Sequence, residues 1–66
     1  IDDVVDRQRV DALGKDHPDA LAAPRQRARF LCGITSPATT KAKLTRDELF
    51  GSLADRRFGD VLAWCA

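Results

Sequence analysis

Six cations and no carboxylate fall between Pro24 and Arg46: Arg25, Arg27, Arg29, Lys41, Lys43 and Arg46. Clustered positive side chains do one chemistry well, which is to attract phosphate oxygens and hydrogen-bond them. Groups suited to covalent or acid–base chemistry are scarce. His17 is the single histidine and stands before Pro18, a setting that reads as a helix cap or surface residue rather than a general base. Cys32, beside the basic stretch, could hold a lowered thiol pKa, yet no second histidine exists to orient it. Cys65 and Cys32 with one histidine match no common zinc spacing, and both cysteines read as small core residues. The expectation is a chain with no catalytic residue, metal or cofactor of its own.

The net charge of +1 conceals a strong imbalance along the chain. Residues 1–23 hold six aspartates against Arg7, Arg9 and Lys15, which sums to −3. Residues 24–46 carry +6, and residues 47–66 return to −2 through Asp47, Glu48, Asp55 and Asp60 against Arg56 and Arg57. Sixty-six residues allow one small domain, with Trp64, Phe30, Phe50, Phe58 and the leucines as its expected core. No apolar run approaches membrane-spanning length and no signal-peptide pattern opens the chain, so a cytoplasmic location is expected. The chain begins at Ile1 and not at Met, which suggests an excised fragment of a larger protein or a processed product.

The elements that must position these cations read as short helices. Period-2 alternation never persists, so strands are not expected. Asp2 and Asp3 suit a first helix turn, Gly14 suits its end, and Ile1, Val4, Val5 and Ala12 form its apolar stripe. Asp16 or His17 caps a second start with Pro18 in its first turn, and Pro24 interrupts or restarts the helix. From Pro24 to about Cys32, Phe30, Leu31 and Ile34 turn toward a core, while Arg25, Gln26 and Arg29 gather on the other side. Arg27 falls at the apolar edge and must snorkel or find a partner. Thr45-Arg46-Asp47-Glu48 reads as a capping box that places Leu49, Phe50 and Leu53 inward, and it accounts for Asp47 and Glu48 better than acid–base chemistry does. A last helix near Phe58 to Cys65 presents Phe58, Val61, Leu62 and Cys65, with Trp64 at its flank. The sum is an all-α fold, a compact domain of four or five short helices.

Its centre is helix-turn-helix-like. Gly33 lets one helix stop in a left-handed conformation, Ser36 caps the next, and Pro37 occupies its first position. Ala38 and Ala42 lie one turn apart for close packing. Thr39, Thr40 and Lys43 are expected to face outward, toward phosphates or base edges. The stretch from Gly33 to Ser36 is one residue longer than the tight turn of repressor-type domains. The expected DNA contacts are Arg25, Arg29, Thr39, Thr40, Lys41, Lys43 and Arg46. There is no tyrosine, Trp64 lies outside the basic window and Phe30 reads as core, so backbone contact with a duplex or junction fits better than base stacking.

The run Arg25-Gln26-Arg27-Ala28-Arg29-Phe30-Leu31-Cys32-Gly33-Ile34-Thr35-Ser36-Pro37, continued by Lys41, Leu44, Leu49-Phe50-Gly51 and Phe58-Gly59-Asp60-Val61-Leu62, resembles C-terminal accessory segments of bacterial RecQ-type DNA helicases. The resemblance covers about residues 25–65. It implies a helical module that helps a helicase engage forks or junctions, or dock a partner. The best-known auxiliary domain there is the HRDC type, whose Val-Gly-x-Gly hairpin this chain lacks, so membership would be divergent. No Gly-Lys-Thr phosphate loop is present, so this piece is not the motor. The competing expectation is a protein–protein module that uses an apolar or acidic surface, with Trp64 and Phe58 as either interface or core.

Overall fold

Proline marks the start of three of the helices. The computed structural model describes residues 3–66, and their regular structure is helical throughout. Helix α1 spans Arg7–Asp16, α2 Pro18–Leu21, α3 Pro24–Leu31, α4 Pro37–Lys41 and α5 Phe58–Cys65, with a 3₁₀ turn at Leu44–Arg46. Pro18, Pro24 and Pro37 each occupy a first helical position, where the missing amide hydrogen leaves no bond unmade.

The first helix departs from expectation at both ends. Asp6 caps it by accepting from the Gln8 amide at 2.9 Å, so the start lies beyond Asp3; the expected roles of Ile1 and Asp2 fall outside the described residues. Gly14 sits inside the helix, which runs on to Asp16. The stop is set by Pro18, which disfavours helical geometry in the residue before it. Of the expected stripe, Val5 is buried while Val4 and Ala12 face solvent; buried Val10 and half-buried Leu13 supply the other core contacts.

At the end of α3, Gly33 adopts φ +80°. Its amide donates to the Phe30 carbonyl at 3.1 Å, and the Ile34 amide donates to Arg29 at 2.8 Å. These are the two bonds of a Schellman turn. The turn carries the chain off the helix axis, and Ile34, expected in the core, is 47% exposed.

Residues 47–56 form successive turns instead of the expected helix. The capping box at Thr45 is not made: Thr45 lies within the 3₁₀ turn, Asp47 Oδ1 accepts from the Leu49 amide at 2.9 Å, and Glu48 pairs with Arg9. The amides of this stretch are needed elsewhere. Gly51 donates to Phe30 at 3.0 Å and Leu53 to Leu31 at 2.8 Å, so the segment closes the last carbonyls of α3. Leu49 and Leu53 are still buried, and the Phe50 ring meets Phe30 edge-on at 5.7 Å. Helix α5 then packs along α3 with Val61 and Cys65 inward. Among the described residues no helix is long and apolar enough to cross a membrane.

Candidate nucleic-acid interface

The expected contacts separate into two groups. Arg25 and Arg29 lie one turn apart on α3, exposed, while Ala28 and Leu31 of the same helix are buried. Thr40 and Lys41 are exposed on α4, Lys43 is exposed in the turn that follows, and Arg46 is exposed at the end of the 3₁₀ turn. Helix α4 packs chiefly on α2 and the 3₁₀ turn, while α3 packs on α5 and α2. The structure therefore brings Thr40, Lys41, Lys43 and Arg46 onto one connected segment and leaves Arg25 and Arg29 on a separate helix. Among the described residues none of the five cations makes an ion pair or a side-chain hydrogen bond.

Thr39 does not face outward. It is 3% exposed, and its hydroxyl accepts from the Ser36 amide at 2.9 Å and donates to the Ser36 carbonyl at 3.0 Å. Ser36 Oγ in turn accepts from the Thr39 amide at 3.2 Å, which completes a capping box. The third position of that box points back at the cap, so Thr39 anchors the helix and leaves the contact surface to Thr40.

Arg27 finds its partners in carbonyls. Nη1 donates to Ala22 at 2.9 Å and Leu21 at 3.2 Å, and Nη2 to Cys65 at 3.4 Å. A positive fork at the C-terminal ends of α2 and α5 meets the negative end of each helix dipole.

Each of the aromatic rings is already engaged. Phe30 is buried, Phe50 and Phe58 pack on the core, and the Arg7 guanidinium sits 4.4 Å from the centroid of the Trp64 ring. The Arg7–Trp64 contact was not visible in the sequence, because nothing local links the two residues. Cys32 is half-buried and Cys65 buried, and both thiols are free. Burial pushes the Cys32 thiol up, opposite to the expected lowering, and the Cys65 thiol up against the pull of Arg27 and Arg7. A groove lies between the α1–α2 junction and α4: Asp16 at the end of α1, His17, and Asp19 of α2 line one side, and Ala38, Lys41 and Ala42 the other. No group of three potential metal ligands occurs among the described residues. Comparisons with protein-family models, curated proteins and solved structures find no match.

Proposed function

We propose that this chain is a non-catalytic DNA-binding accessory module. Thr40, Lys41, Lys43 and Arg46, with Arg25 and Arg29 in support, contact the phosphate backbone of duplex, forked or junction DNA. One observation carries the reading: these cations are exposed and unpaired among the described residues, within a window that holds no carboxylate. Unpaired surface cations release counterions from nucleic acid when they bind, which is where sequence-independent affinity originates. The resemblance to RecQ-type accessory segments adds a parent, an ATP-dependent DNA helicase of the cytoplasm, to which the module supplies grip and no chemistry. The two thiols, whose pKa burial raises, are not activated nucleophiles, which fits a module without chemistry of its own.

The test is a salt titration of binding to duplex, forked and single-stranded DNA. Affinity falls steeply with salt, and each of Lys41→Gln, Lys43→Gln and Arg46→Gln flattens the log–log slope by about one. No binding to forked or duplex DNA at low salt ends this reading.

A second reading, a protein-interaction module, is favoured by the groove between α2 and α4, whose Asp16, Asp19 and Lys41 make no ion pair among the described residues. It requires Ala38→Arg, which fills the groove, to abolish association with the parent or a partner while DNA binding persists.

A further inference from the structure

Two helices of this chain end with a residue in the left-handed region, and the residues differ. After α3 the position belongs to Gly33 at φ +80°, whose amide donates to Phe30 at 3.1 Å. After α4 it belongs to Lys43 at φ +61°, whose amide donates to Thr40 at 3.1 Å. Glycine enters this region freely, while a side chain with a Cβ crowds the neighbouring carbonyl. Lys43 is the one non-glycine residue with positive φ among those described.

The turn has a geometric consequence at each site. Past Gly33 the chain emerges to solvent at Ile34, whereas past Lys43 it dives inward at Leu44, which is 4% exposed. Reversal at Lys43 thus buries the next side chain and leaves its own exposed, as Lys41 of α4 and Arg46 of the 3₁₀ turn are. A glycine would make the same turn with less strain and without the charge. Strained backbone at a ligand-facing position is a recurrent mark of a residue held there for contact.

Resting on the DNA reading above, we propose that Lys43 is the pivot of the phosphate-binding segment: a cation fixed by a strained turn, where its charge adds affinity that stability alone would surrender to glycine. The test separates charge from strain with two variants of the intact chain. Lys43→Gly and Lys43→Gln both flatten the salt slope for duplex DNA by about one. Only Lys43→Gly melts higher than the parent, by about 4 °C for a chain of this size. Lys15→Gln, an exposed cation in the last turn of α1, leaves the slope unchanged.

If Lys43→Gly binds as tightly as the parent, or melts below Lys43→Gln, the proposal is overturned. An equal loss in Lys15→Gln overturns it as well, since affinity would then follow total charge. A parent chain that binds no DNA at low salt removes the DNA reading itself, an outcome distinct from all of these.

Discussion

The backbone of Gly51 touches the backbone of Gly33. A Cβ placed on Gly33 would come within 3.3 Å of the Gly51 Cα, and both residues have positive φ, at +80° and +74°. This contact lets the 47–54 turns lie flat on the end of α3, where Gly51 and Leu53 close its carbonyls. Gly51→Ala destabilises by about 1–2 kcal/mol from left-handed strain, since its added Cβ would meet the Gly33 Cα at an ordinary 3.6 Å. Urea unfolding measures it. A Gly51→Ala chain as stable as the parent would show that the turns have room to re-form away from α3.

Arg27 is the tie among α2, α3 and α5. Arg27→Met keeps the length and the apolar stem but strands the carbonyls of Leu21, Ala22 and Cys65. The expected loss is about 1–3 kcal/mol in denaturant unfolding, and Arg27→Lys does not restore it, because one ammonium does not span the same fork. The DNA salt slope stays unchanged in both variants, since Arg27 is turned inward.

Thr39 and Thr40 are neighbours with opposite roles. Thr39→Ala removes the capping box and lowers stability by about 1 kcal/mol without altering the salt slope. Thr40→Ala leaves the melting temperature in place and weakens DNA binding slightly, at one hydroxyl's worth of contact. A reversal of the two phenotypes would place the outward face of α4 elsewhere.

The elements legible in the sequence are those decided by neighbours along the chain. Pro18, Pro24 and Pro37 fix helix starts, Gly33 fixes a stop, and Phe58–Cys65 is self-contained in its periodicity. The segment 47–56 was not legible, because its amides answer to carbonyls of α3 far along the chain and not to the local Thr45–Glu48 pattern. The same distance hides Arg9 with Glu48 and Arg7 with Trp64. Thr39 differs: with Ser36 as cap, the third helical position can reach back to it, a local signal that places Thr39 inward where the helix-turn-helix pattern places it outward.

The buried Cys65 thiol makes stability fall with pH on the alkaline side. Burial raises the Cys65 pKa above its ordinary 9.0, against partial opposition from Arg27 and Arg7. Well below that ordinary value the thiol is protonated whether the chain is folded or not, so it adds no pH dependence there. Above it the unfolded chain loses the proton first and the folded chain keeps it, so the unfolded state binds fewer protons and stability falls as pH rises. Cys65→Val, similar in size and without a titrating group, removes that part of the slope. The comparison to make is the change in stability with pH across about 8 to 10.5, where the thiol begins to ionise in the unfolded chain. The parent declines more steeply than Cys65→Val, whatever offset the substitution itself introduces. Parallel curves would mean that the Cys65 thiol reaches solvent as freely in the folded chain as in the unfolded one.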